Sequence, residues 1–117
     1  MELRKLQKIA VSALEDIKAK EVEILNTARL TDLFERLIIA CGDSSRQVRA
    51  LARNVADKVR AAGGEVLSVE GEENGEWVLV DLGDIVVHVM QPTVRAFYNL
   101  EELWGSGSRG QGSGIRG

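Results

Sequence analysis

The sequence predicts an α/β fold, more strictly α+β, in which helices flank a mixed sheet of about five strands. Three observations indicate it. Two β-rich runs meet at a tight turn, an uninterrupted apolar run precedes a capped amphipathic helix, and another amphipathic helix opens the chain. The chain has 117 residues. A body of about 104 residues should bury roughly 60 to 65% of its unfolded surface, which gives room for one core. We therefore predict one domain, residues 1–104.

The first helix is predicted over residues 2–19. Its apolar side chains recur at spacings of three and four residues, which is the period of an amphipathic helix; they are Leu3, Leu6, Ala10, Ala13, Leu14 and Ile17. Residues 21–25 alternate between polar and apolar and predict a short strand. Residues 30–35 are compatible with either a helical turn or an early strand.

Residues 37–41 form an apolar run of strand length, as expected for a central strand covered on both faces. Ser44 and Gln47 have the spacing of a capping box, so a helix should begin there and end at Gly63-Gly64. Alternation over residues 65–69 predicts the next strand. A strand, helix and strand in this order imply at least one parallel pairing through a right-handed crossover.

Two β-rich runs, residues 77–82 and 85–90, should form a hairpin, because Gly83-Asp84 suits a two-residue turn. Alternation then places aliphatic side chains on one face, which must be core: Val78, Val80, Leu82, Ile85, Val87 and Val89. The opposite face mixes apolar and ionisable groups, which a plain core layer would not select: Trp77, Leu79, Asp81, Val86, His88 and Met90. This second face is our candidate functional surface.

The last predicted helix begins at Pro92, which suits a first helical turn, and has Val94, Phe97 and Tyr98 on its apolar side. Asn99 and Glu102 indicate a second cap, before a short turn over residues 100–104. Residues 105–117 are rich in Gly and Ser and should form a flexible tail outside the domain.

Charge is distributed unevenly along the chain. Lys and Arg number 12 against 9 Asp and Glu in residues 1–62, and 1 against 9 in residues 63–104. The hairpin half should therefore repel nucleic-acid phosphate and attract a basic partner. Charge alone is equally compatible with solvated acidic residues that only keep the surface soluble and bind no partner.

No apolar run is long enough for a signal peptide or a membrane span, so we expect a soluble cytoplasmic protein without membrane contact. The single Cys41 cannot form an internal disulfide, and one histidine leaves too few ligands for a structural zinc site. We interpret Cys41 as a buried thiol.

An enzymatic interpretation starts from residues 42–45, Gly-Asp-Ser-Ser, because a helix N-terminus can bind phosphate. No Asp-x-Asp pair lies on one strand to hold Mg²⁺, and capping accounts better for Ser44. Asp81 and His88 lie diagonally across the hairpin, but no Ser or Cys stands in a nucleophile motif. We expect neither catalysis nor a cofactor.

The hairpin sequence GEWVLVDLGDIVVHVM at residues 75–90, with Glu70-Gly71 before it, resembles the ribosomal silencing factor (RsfS, or Iojap-like) family. Two further segments match in the family's order: IIACGDSSRQV at residues 38–48, and Arg95, Tyr98, Leu100-Glu101 and Leu103-Trp104. The resemblance covers residues 6–104. At residues 35–37 many members instead have an acidic residue followed by aromatics.

The resemblance implies a compact fold related to nucleotidyltransferases. It also implies binding to the large ribosomal subunit through the basic ribosomal protein L14, with little direct nucleic-acid contact. The bound protein would block joining of the small subunit and lower translation under nutrient limitation or in stationary phase. Patterning and resemblance together suggest that the partner is contacted by Glu70, Trp77, Leu79, Asp81, Asp84, His88 and Met90.

Two other functions stay open from the sequence. One is a degenerate nucleotidyltransferase-like domain that binds nucleotide at residues 42–45. The other is a homodimeric scaffold that pairs through an exposed strand edge. Dimerisation could coexist with ribosome binding.

Overall fold

The computed structural model describes residues 1–98, with only the backbone at residues 97 and 98. Their elements, in chain order, are α1 (Leu3–Asp16), β1 (Lys20–Asn26), β2 (Arg36–Cys41), α2 (Ser45–Ala61), β3 (Ser68–Glu70), β4 (Trp77–Asp81), β5 (Ile85–Met90) and α3 (Pro92–Tyr98). No helix in this part of the chain is long and apolar enough to span a membrane. Side chains are described for residues 1–96. Three predictions lie outside this range: the apolar side of the last helix at Phe97 and Tyr98, the cap at Asn99, and the tail.

The five strands form one mixed sheet in the order β1-β2-β5-β4-β3, which confirms the predicted fold class. Strands β2 and β5 are parallel, and the other three neighbouring pairs are antiparallel. The predicted strand over residues 65–69 is shorter and later, since β3 spans only Ser68–Glu70. It pairs with β4 at the sheet edge, so the parallel partner of β2 is the long apolar strand β5 and not the strand that follows α2.

Both long helices cover the same face of the sheet and bury its aliphatic side chains. The six hairpin side chains predicted to be core all lie there and are at most 6% exposed. The helices run antiparallel to each other. Near the middle of α2, the Asn54 Nδ2 donates to the Ala13 carbonyl at 2.8 Å, and near its start the Gln47 Nε2 donates to the Ile17 carbonyl at 3.1 Å.

The start of α2 is capped as the sequence predicts. The Ser44 Oγ accepts from the Gln47 amide at 3.1 Å. The Gln47 Oε1 in turn accepts from the Asp43 amide at 2.7 Å, one residue before the position expected in a capping box. These polar groups at the strand-to-helix junction therefore hydrogen-bond to one another and cap the N-terminus of α2.

The other face of the sheet has a second, smaller apolar cluster, in which Leu37, Ile39, Val86 and Met90 are buried. Phe34 and Val94 pack against it from the segment before β2 and from α3. The ambiguous residues 30–35 form neither helix nor strand; they belong to a loop that closes with the Thr27 amide bonded to the Glu35 carbonyl at 3.0 Å. Neither α1 nor α2 covers this face, so part of it stays accessible.

Cys41 is buried, as predicted, at the end of β2. Its Sγ lies 3.4 Å from the Arg95 Nη1, and the same guanidinium group donates to the Glu21 carbonyl. Glu21 has a positive φ of 51°, and the pairing of β1 with β2 shifts register beside it. A buried arginine thus ties α3 to the irregular start of β1.

A candidate protein-binding face on the sheet

Three strands contribute to the candidate site. In the register of the sheet, Trp77 lies opposite Met90 and Leu79 lies opposite His88, while Leu79 also lies opposite Glu70 of β3. Directly paired residues share a face, so these side chains lie together on the side away from α1 and α2. We call the surface formed by Glu70, Trp77, Leu79, Asp81 and His88 the Trp77 face.

The apolar centre of this face is partly exposed. Trp77 and Leu79 are each half-buried and pack against the second cluster. Met90 was predicted to be a third apolar anchor, but its side chain is fully buried. Its strand has neighbours on both sides, and Val94 packs against the same cluster. We therefore assign Met90 to the support beneath Trp77 and remove it from the candidate contact surface.

Trp77 is held in place by His88. The indole Nε1 donates to the His88 Nδ1 at 2.8 Å, and the two rings are 5.7 Å apart at a tilt of 48°. Burial lowers the pKa of His88 from 6.5 to about 4. The imidazole is therefore neutral at pH 7, with its lone pair on Nδ1 and its proton on Nε2. The ring acts as an acceptor that orients the tryptophan.

The predicted proximity of Asp81 and His88 does not produce a bond between them. The Asp81 Oδ1 accepts from the Gly83 amide at 2.9 Å, within the hairpin turn. Asp84 lies in that turn, where its carbonyl accepts from the Glu35 and Arg36 amides at 2.7 and 3.1 Å. Its exposed side chain thus lies at the turn end of the hairpin, whereas Trp77 begins the opposite end.

An acidic loop, residues 71–76, joins β3 to β4 beside Trp77 and includes Glu72, Glu73 and Glu76. The loop turns back sharply at Gly71, where φ is +91° and a Cβ atom would lie 2.3 Å from the Trp77 carbonyl oxygen. Only glycine fits such a close backbone approach. The path of the backbone therefore holds the start of the acidic loop against β4 at Trp77.

The arrangement is suited to binding a protein. A partly exposed tryptophan and leucine, bordered by carboxylates, match a partner surface that is both apolar and basic. Within residues 1–98, no group of three or more His, Cys, Asp or Glu side chains is placed to hold a metal ion. A nucleotide site at residues 42–45 would use the Ser44 hydroxyl to bind phosphate. That hydroxyl instead accepts from the Gln47 amide and caps α2.

Comparison with known proteins gives a consistent result. The family model described as "Ribosomal silencing factor during starvation" matches residues 1–115. The chain is 55% identical to ribosomal silencing factor RsfS of Chromobacterium violaceum, over 90% of this chain and 86% of that protein. It is 39% identical to RsfS of Bacillus subtilis, over 90% of this chain and 89% of that protein. The chloroplastic protein Iojap of Zea mays is 36% identical over 80% of this chain and 41% of its own length.

Two solved structures have the same fold. A crystal structure of a Chromobacterium violaceum protein matches with a TM-score of 0.88 and 55% identity, covering 90% of this chain and 88% of that one. A crystal structure from Bacillus halodurans matches with a TM-score of 0.79 and 40% identity, covering 86% and 94%. The sheet and its helices are thus those of experimentally determined relatives.

Proposed function

The chain belongs to the ribosomal silencing factor family, and on this premise we propose that it binds the large ribosomal subunit through ribosomal protein L14. Bound there, it sterically prevents the small subunit from joining and lowers translation, particularly under nutrient limitation or in stationary phase. The role is that of a cytoplasmic repressor and needs no reaction and no cofactor.

The observation that carries the proposal is the partly exposed Trp77, oriented by His88 beside an acidic loop. Tryptophan is enriched among the residues that dominate binding energy at protein interfaces, because it buries a large rigid surface. Its position here is set before any partner arrives, which reduces the entropy lost on binding. Leu79 extends the apolar surface along the same strand.

The charge of this half of the protein supports a basic protein as the partner. Glu70 and Asp81 border the apolar centre, and the loop adds the exposed Glu73 and Glu76. Opposite charge steers encounter and fixes orientation, whereas the same field repels RNA phosphate. We therefore place the L14 contact on the Trp77 face and expect little contact between that face and ribosomal RNA.

Sedimentation with separated subunits tests the proposal. The purified protein should migrate with large subunits and remain at the top of the gradient with small subunits. Binding should weaken as salt is raised, because exposed charges are screened. Migration with small subunits, or with neither subunit, would contradict the proposed function.

A further inference from the structure

The acidic loop beside Trp77 is attached to α2 by Arg49. This half-buried arginine directs its Nη1 at the carbonyl oxygens of Glu72 and Glu73, at 3.3 and 3.4 Å. A guanidinium group has several donors in a rigid plane and can satisfy neighbouring carbonyls at once. One side chain of α2 thus fixes two consecutive peptide groups of the loop.

A second arginine, one helical turn later, holds a loop side chain. The Arg53 Nε lies 3.1 Å from the Glu72 Oε2. Residues four apart on a helix project from the same side, so Arg49 and Arg53 act on the loop together. Glu72 is consequently held through both its carbonyl and its carboxylate.

The loop backbone also lies directly against the start of α2. At Gly75, where φ is +67°, a Cβ atom would be 2.7 Å from the Arg49 Nη1 and 2.8 Å from the Ser45 carbonyl oxygen. On the other side, the Gln91 Nε2 donates to the Gly75 carbonyl at 3.2 Å, and the Gln91 amide donates to the Glu76 carbonyl at 3.0 Å. The loop is therefore confined between α2 and the end of β5.

We propose that Arg49 and Arg53 are positioning residues for the Trp77 face, because they fix the acidic loop in its binding conformation before the partner arrives. This inference rests on the proposed function. The carboxylate of Glu72 is paired within the protein, so the loop carboxylates presented to the partner are those of Glu73 and Glu76, which are exposed. A loop ordered in advance loses less conformational entropy on binding.

These contacts should act locally and contribute little to global stability. The side chains of Arg53 and Glu72 are 66% and 37% exposed. Ion pairs at such positions have small effects on unfolding, because water screens them and both side chains lose entropy. Loss of the arginines should therefore mobilise the loop without unfolding the domain.

The test compares two double variants of the same helix. Arg49→Ala with Arg53→Ala removes the loop contacts. Arg46→Ala with Arg60→Ala removes the same charge from two exposed arginines whose side chains make no hydrogen bond or ion pair within the described residues. The first variant should bind purified large ribosomal subunits about tenfold more weakly than the unchanged protein, and the control within about twofold, at one ionic strength.

Amide hydrogen exchange adds a measurement that requires no partner. Exchange in residues 72–76 should become at least about tenfold faster in the Arg49, Arg53 variant and stay unchanged in the control, with the core strands protected in both. A charge exchange gives a further check. Arg53→Glu combined with Glu72→Arg should recover part of the affinity that Arg53→Glu alone loses.

The outcomes separate this inference from the proposed function. Unchanged loop exchange, or an equal loss of affinity in the two double variants, would overturn the positioning role even if the unchanged protein binds large subunits. If the unchanged protein binds no subunit while loop exchange responds as expected, the proposed partner is wrong and the loop attachment stands.

Discussion

Trp77→Ala combined with Asp81→Lys is expected to raise the dissociation constant for large subunits at least about 100-fold, which corresponds to about 2.7 kcal/mol. Truncation of a central interface tryptophan commonly costs about 2 kcal/mol or more, and the added lysine places a positive charge against a basic partner. The double variant should still unfold cooperatively, because Trp77 and Asp81 are both partly exposed. Binding is measured by sedimentation titration and folding by chemical denaturation.

The matched control combines an apolar truncation and a charge reversal of the same kind, away from the Trp77 face. Ile24→Ala combined with Asp16→Lys removes an apolar side chain that is 42% exposed and reverses one exposed carboxylate. Ile24 is paired with Ile38, whose side chain lies on the helix-covered face of the sheet. This control should bind within about threefold of the unchanged protein. Full affinity in the Trp77, Asp81 variant would move the contact to another surface.

Acidification should destabilise the protein through His88. The pKa of its imidazole is about 4 in the folded protein and 6.5 in the unfolded chain, so the unfolded chain takes up the proton first as the pH falls. The stability associated with the neutral ring is complete above pH 6.5 and is lost as the pH falls toward 4. The difference between the pKa values of His88 in the folded and unfolded protein corresponds to a loss of about 3 kcal/mol in the free energy of unfolding.

His88 is the sole histidine of the chain, which simplifies the measurement. Between about pH 6.5 and 5, carboxylates remain largely ionised, so most of the slope should come from this one ring. Urea unfolding at a series of pH values should show that slope, and His88→Gln should remove most of it. A slope that is the same in the variant would show that the ring titrates alike in folded and unfolded protein.

The hairpin and the helices could be predicted from the sequence because each depends on local chemistry. Alternation and Gly83-Asp84 define the hairpin, and Ser44 with Gln47 defines the start of α2. Burial of Met90 could not be inferred in this way, because alternation gives the face of a residue and not how much of that face other elements cover. The position of β5 between two neighbours is a property of the whole sheet.

The partner of His88 was undetermined for a similar reason. His88 is paired with Leu79, so Trp77 and Asp81, two residues to either side, are both its diagonal neighbours. The structure selects Trp77, since the carboxylate of Asp81 is bonded to the Gly83 amide. The sequence of α2 contains four arginines, Arg46, Arg49, Arg53 and Arg60. Only the three-dimensional path of the acidic loop shows that Arg49 and Arg53 bind Glu72 of that loop.

The most direct test of the central claim is a subunit-joining measurement on sucrose gradients. Separated large and small subunits are mixed under joining conditions with increasing amounts of the purified protein. The joined particle should decrease as the protein appears in the large-subunit fraction, and the Trp77, Asp81 variant should leave joining intact. Full joining at protein concentrations that saturate the large subunit would contradict a steric block.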